Sequence, residues 1–245
     1  MPYDAVLAET VGLRGHGDDL VQAYAARPMS PGPRGGVIVI HHMPGYDRES
    51  KEHVRRIACL GYDTICVNLY SREGLELPAE EAAKRARAKG GVPEEQFVGD
   101  ASGAARWLRD LPTSNGKVGV IGFCSGGRQS IIAAAEVDVQ AAVDCYGGMV
   151  VEEPPAGLPM RPVTDRIPAI GAPVLGLFGN DDVHPAPAHV DELEALLVRH
   201  GKEYEFHRYD GAAHSFFSVD RASYRPEAAV DGWRRVEAFY ATHLG

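Results

Sequence analysis

Apolar residues fall into short blocks that alternate between two periods along this chain. Val37-Ile38-Val39-Ile40 is apolar at every position, as a strand buried on both faces of a parallel sheet should be. Similar blocks predict strands at 64–69, 117–121, 141–146, 173–178 and 203–209. Between them run segments with a helical period. Residues 49–60 carry Val54, Ile57 and Ala58 on one side, with Gly61 to end the helix. Residues 96–109 repeat through Phe97, Ala101, Ala104, Ala105 and Leu108. Further helices are predicted at 126–135, at 187–200 through Val190, Leu193 and Leu197, and at 228–243 through Trp233, Val236 and Tyr240. Residues 78–89, rich in alanine and charge, predict a short exposed helix placed to lie over a site. Residues 5–7 and 20–26, separated by the turn-rich stretch 12–19, predict an edge hairpin. Residues 149–170 hold five prolines without a clean period and predict a long surface excursion.

Strands alternating with helices at this spacing imply an α/β fold, a mostly parallel sheet covered on both faces. No internal repeat or low-complexity tract divides the chain, so residues 1–245 are expected to form a single domain.

Composition narrows the function classes. The chain is 44% hydrophobic and 24% charged, ordinary for a globular protein, and its formal charge of -9 argues against nucleic acid or an anionic membrane as the main partner. Met1-Pro2-Tyr3-Asp4 lacks the basic start and apolar run of a signal peptide, and no apolar stretch approaches the ~20 residues of a membrane helix. A cytoplasmic location is expected. The four cysteines, at 59, 66, 124 and 145, show no CxxC spacing, so free thiols in a reducing compartment are expected. Cys59, Cys66 and Cys145 stand in apolar contexts and read as small core residues.

Cys124 is set differently. The stretch Lys117 to Gly127 reads as an apolar strand, then Gly122-Phe123-Cys124-Ser125-Gly126, then a helix of small residues. Such a Gly-x-Cys-x-Gly turn pushes a nucleophile above the sheet, with neighbours that nearly lack side chains. A helix N-terminus beside the thiol favours the thiolate. The backbone N–H of Ser125 would face a developing oxyanion. Ser125 is the competing nucleophile, but it lacks the symmetric glycine flanks.

A cysteine nucleophile needs a histidine base, and the base needs a group to fix its tautomer. In this fold the chain order is nucleophile, acid, histidine. Among the histidines beyond Cys124, His189, His200 and His243 fall on predicted helices and His207 within a predicted strand, whereas His214 follows that strand in the turn Asp210-Gly211-Ala212-Ala213-His214, just beyond the sheet's C-terminal edge. The acid should come from the turn Gly179-Asn180-Asp181-Asp182, where two aspartates compete.

With these residues the chain resembles the dienelactone hydrolase (carboxymethylenebutenolidase) family over nearly its full length. The elbow Gly122–Gly127, the Gly-x-x-Asp turn ending at Asp182, the Gly-x-x-His-x-Phe turn with His214 and Phe216, Tyr146-Gly147-Gly148, and Tyr224 to Ala229 carry the likeness. The resemblance implies an α/β-hydrolase fold and favours Asp182 over Asp181. It implies hydrolysis of a small lactone or carboxylic ester through an acyl-cysteine intermediate, with the N–H groups of Ser125 and Met43 holding the oxyanion. Two departures stand out. His42 occupies the position of a family glutamate thought to activate the cysteine. Of two family arginines that hold a substrate carboxylate, one matches Arg72 and the other falls on Ser218. His42, Arg72 and Phe216 are therefore expected at the substrate pocket or in its tuning.

No His-x-x-x-His, Cys-x-x-Cys or phosphate-binding loop appears, so neither a metal nor a nucleotide cofactor is expected. The expected partner is a small-molecule ester or lactone, on a monomer or small homo-oligomer. A thioesterase or another acyl hydrolase, or a non-catalytic binding protein on the same fold, are the alternatives.

Overall fold

The computed structural model describes residues 5–154 and 160–245. The N-terminal tetrapeptide and the middle of the proline-rich stretch, residues 155–159, lie outside the described residues. Among the described residues eight strands form one sheet: β1 (Val6–Arg14), β2 (Leu20–Pro28), β3 (Arg34–Ile40), β4 (Asp63–Val67), β5 (Ser114–Phe123), β6 (Ala141–Cys145), β7 (Val174–Gly179) and β8 (Tyr204–Tyr209). Their order is β1-β2-β4-β3-β5-β6-β7-β8. β1 pairs antiparallel with β2, and β2 with β4; every other pairing is parallel.

The helices are α1 (Arg48–Cys59), α2 (Ala79–Ala88), α3 (Glu94–Arg109), α4 (Ser125–Glu136), α5 (Pro187–Arg199) and α6 (Pro226–His243). Two apolar clusters, one on each face of the sheet, hold them. Ile38, Ile40, Val118, Val120 and Ala142 pack on one side against Phe97 and Leu108 of α3, Ile131 of α4 and Leu193 of α5. Val37, Val39, Ile121, Val143 and Leu175 pack on the other against Val54 and Ile57 of α1 and Val236 and Tyr240 of α6. Adjacent residues on β3 and β5 thus serve opposite cores, which is why those strands are apolar throughout. This is the α/β-hydrolase fold. Among the described residues no helix is long and apolar enough to cross a membrane.

Three expectations change. β1 continues to Arg14, through residues read as a turn, because it is a largely exposed edge strand ordered by its ladder with β2 rather than by burial. The described part of 149–170 is anchored to the core: Val150, Val163, Ile167 and Ile170 are buried, and Val163 N–H donates to Val150 O at 2.9 Å. Cys59 is exposed, at the end of α1 on the side opposite Val54 and Ile57.

Candidate active site

The parallel strands all end at one edge of the sheet, and the candidate residues leave from those ends. Cys124 follows β5 directly and caps α4 at φ 57°, ψ −119°, a left-handed conformation that is strained for any residue with a Cβ. The two glycines permit the turn for steric reasons. A Cβ on Gly122 would lie 1.8 Å from the carbonyl oxygen of Gly126, and one on Gly126 would lie 2.4 Å from that of Ile40. The Cys124 N–H donates to Cys145 O on β6 at 3.1 Å, tying the elbow to the sheet.

The turns after β7 and β8 are joined to each other. Asn180 N–H donates to Tyr209 O and Asp181 N–H to Ala212 O, both at 2.9 Å. These bonds bring Asp182 beneath His214. Asp182 has a side chain 1% exposed, and its Oδ2 accepts from His214 Nδ1 at 2.8 Å, while its Oδ1 accepts the His184 N–H at 2.9 Å. A carboxylate can only accept, so this contact puts the proton on Nδ1 and turns Nε2 outward. Asp181 is exposed.

Electrostatics couple Cys124 to His214. Burial pushes the thiol up, but the His214 ring, its charge, and the backbone N–H groups of Ser125 and Met43 together hold it below the ordinary cysteine range. Burial likewise disfavours the imidazolium, yet Asp182 on one side and the Cys124 sulfur on the other raise His214 to about 10. The remaining buried thiols move the opposite way: burial above all raises Cys66 and Cys145. The edge-on ring of Tyr146, 5.1 Å between centroids, supports the His214 imidazole.

Met43 presents its backbone to the thiol while its side chain is exposed. Its carbonyl accepts from the Tyr70 hydroxyl at 2.8 Å, which fixes the loop after β3. His41 and His42 part as neighbouring extended residues do. His41 is buried, donates from Nδ1 to His42 O at 2.8 Å and accepts the Leu69 N–H at Nε2; burial lowers it to about 4, so it serves as a neutral strut. His42 Nε2 meets Asp47 Oδ2 at 2.6 Å, and its Nδ1 lies 3.9 Å from Glu49 Oε2.

Two expected pocket residues are elsewhere. Arg72 is bound by Asp100, at 2.8 and 3.1 Å, and by Asp19 at 2.8 Å, with Asp100 fully buried; its charge is spent on fastening α3 to the β1–β2 turn, not on a ligand. Phe216 is fully buried below Tyr146, with ring centroids 5.3 Å apart, and shapes the site only from underneath. Ser218 does border the site, where its hydroxyl donates to Glu49 Oε1.

Sequence reasoning overlooked Asp47, Glu49 and His53. Asp47 carried a readable signal, since it caps α1 by accepting the Ser50 N–H at 3.0 Å. His53 stacks on Phe123, the residue before Cys124, at 4.1 Å, and nothing in its position foretold this. His42, Asp47 and Glu49 offer atoms within 4.8 Å of one another, a set able to approach a metal ion. Asp47 is nevertheless committed to the helix cap and to His42, and Glu49 Oε1 to Ser218, which leaves His42 Nδ1 and Glu49 Oε2 of this set.

The model of the dienelactone hydrolase family matches residues 21–244. A "Putative carboxymethylenebutenolidase" of Methylorubrum extorquens is 32% identical, over 91% of this chain and 77% of that protein. One of the same description from Escherichia coli is 31% identical, over 100% of this chain and 90% of that protein. The crystal structure titled "Putative Dienelactone Hydrolase" from Klebsiella pneumoniae superposes with a TM-score of 0.85 at 31% identity, covering 98% of this chain and 100% of that one. Agreement of this extent, from β2 to the end of α6, places the chain in the dienelactone hydrolase family.

Proposed function

We propose that the protein hydrolyses a small lactone or carboxylic ester through a covalent acyl-cysteine intermediate, with Cys124 as nucleophile, His214 as base and Asp182 as its orienting acid. One observation above all supports the reading: Asp182 holds His214 at Nδ1 at 2.8 Å, and the His214 ring with the Ser125 and Met43 N–H groups draws the Cys124 thiol below its ordinary range.

The steps follow from those positions. The Cys124 thiolate adds to the substrate carbonyl carbon, and the negative charge that forms on the carbonyl oxygen is stabilised there by hydrogen bonds from the Ser125 and Met43 N–H groups. The intermediate collapses, the C–O bond to the leaving alcohol breaks, and the imidazolium of His214 gives that oxygen its proton. A thioester remains. Water then attacks it as neutral His214 Nε2 takes a proton, the C–S bond breaks, and the acid leaves with the imidazolium–thiolate pair restored. Throughout, the Asp182 carboxylate holds the Nδ1 proton and favours the charged ring. In a lactone the leaving alcohol stays tethered to the acyl group, and the product is a single hydroxy acid.

Hydrolysis of p-nitrophenyl acetate by the purified protein is the first test, with rapid quench and intact-mass detection of one acetyl group on Cys124. Cys124→Ala and His214→Ala should each abolish turnover while the folded circular-dichroism spectrum persists. Undetectable hydrolysis by the native protein, or undiminished hydrolysis by Cys124→Ala, would defeat the reading.

A further inference from the structure

Glu49 lies in the first turn of α1, yet its carboxylate turns inward among segments that surround Cys124. Its Oε1 accepts from Ser218, four residues beyond His214, and lies 3.6 Å from His53 Nε2, whose ring stacks on Phe123. Its Oε2 lies 3.9 Å from His42 Nδ1, beside the Met43 N–H that faces the sulfur, and 3.9 Å from Arg221 Nε. The charges of both Glu49 and Cys124 reach the buried Tyr146 hydroxyl, so the carboxylate and the sulfur share one neighbourhood. The Glu49 side chain remains 19% exposed, and is therefore open to a ligand on one side.

Burial would push this carboxyl up, but the adjacent His53 ring, the hydrogen bond from Ser218 and the nearby His42 bring it below its ordinary value, so it is ionised at neutral pH. Asp47 adds a second carboxylate beyond His42. The cations in range do not reverse the sign. Arg221 is 42% exposed and already faces Glu49, Arg72 is held by Asp100 and Asp19, and Arg87 lies on the exposed face of α2, where its charge reaches Tyr70.

Building on the hydrolase reading, we propose that Glu49 is a specificity-determining residue, which selects esters bearing a cationic or hydrogen-bond-donating group near the carbonyl and disfavours those bearing a carboxylate. A carboxylate on the substrate would be repelled by this half-buried carboxylate, whose charge solvent screens incompletely, whereas an ammonium group would gain from it. This selection acts on binding in both ground and transition states, so it changes relative kcat/KM between substrates rather than the chemistry at sulfur.

The test uses p-nitrophenyl esters of matched length whose acyl chains end in a trimethylammonium, a neutral tert-butyl or a carboxylate group. The native protein should prefer the ammonium ester over the carboxylate ester by roughly 10- to 100-fold in kcat/KM, the scale of one half-buried unit charge acting with opposite sign on two ligands. In Glu49→Gln that ratio should collapse toward one; a ratio is read so that any general loss of rate cancels. If Glu49→Gln does not fold, Glu49→Asp should retain the preference at a smaller ratio, because the charge stays but withdraws by one methylene. A native ratio near or below one, or an undiminished ratio in Glu49→Gln, overturns the inference. Failure on the neutral ester as well would instead count against the hydrolase reading itself.

Discussion

Replacing Asp182 by asparagine removes one charge and almost no volume. The amide that replaces the carboxylate could keep its oxygen on the His184 N–H, which would then set its NH2 against His214 Nδ1, donor facing donor. The bond lost is charge-assisted, 2.8 Å long and made to a side chain only 1% exposed. Such bonds contribute about 1.5–3 kcal/mol, so the imidazolium–thiolate pair should become roughly 10- to 100-fold less populated. Alkylation by iodoacetamide reads that population directly, because only the thiolate reacts. With Cys124 held below the usual thiol range and His214 raised to about 10, the native pair should persist across neutral pH and be lost as pH rises through the histidine value. At pH 6 the Asp182→Asn variant should alkylate at Cys124 roughly 10- to 100-fold more slowly than the native protein, recovering toward pH 9 as the thiol ionises unaided. Asp181→Asn, altering an exposed group, should stay within about twofold, since surface changes of this kind rarely couple to a buried pair. An Asp182→Asn rate equal to the native one at pH 6 would refute the coupling, and a large effect at Asp181 alone would move the acid by one residue.

Asp144, at the end of β6 beneath the elbow, offers a stability test. Its Oδ1 accepts the Gly147 N–H at 2.7 Å, its Oδ2 has no partner, and burial raises its carboxyl to about 7. The folded state thus holds a proton that the unfolded chain releases near pH 4, and stability falls as pH rises between those values. Asp144→Asn should gain about 2–3 kcal/mol over the native protein between pH 5 and pH 8, measured by urea unfolding; a constant difference would contradict the shift. Arg72→Ala should cost about 3 kcal/mol by leaving the Asp100 carboxylate buried with only the His16 N–H, and should leave the preference between charged esters as it was. A changed charge preference without a change in the urea midpoint would return Arg72 to the substrate.

The elbow was legible because its requirements are local. A strand, two glycines that must lack Cβ atoms and a helix of small residues follow one another without interruption, and steric exclusion acts directly between Gly122 and Gly126. The order of β and α blocks was legible for the same reason, since burial on both faces writes a continuous apolar run. Asp181 and Asp182, by contrast, are neighbours of one chemical type. Only the bonds joining the turns after β7 and β8 decide which of them meets His214, 32 residues on.

Charge is where local pattern said least. Arg72 stands in the sequence as a free cation near the site, and the fold gives it a buried partner 28 residues away. Glu49 reads as an ordinary first-turn acid on a helix, and the fold sets it against Ser218, 169 residues later. Sterics and hydrophobic period act between near neighbours and so determine, from sequence, that this chain builds an elbow on a parallel sheet. The partner of a charged side chain is chosen by long-range packing, so only the tertiary structure decided which charges are tied to one another and which gather near the elbow.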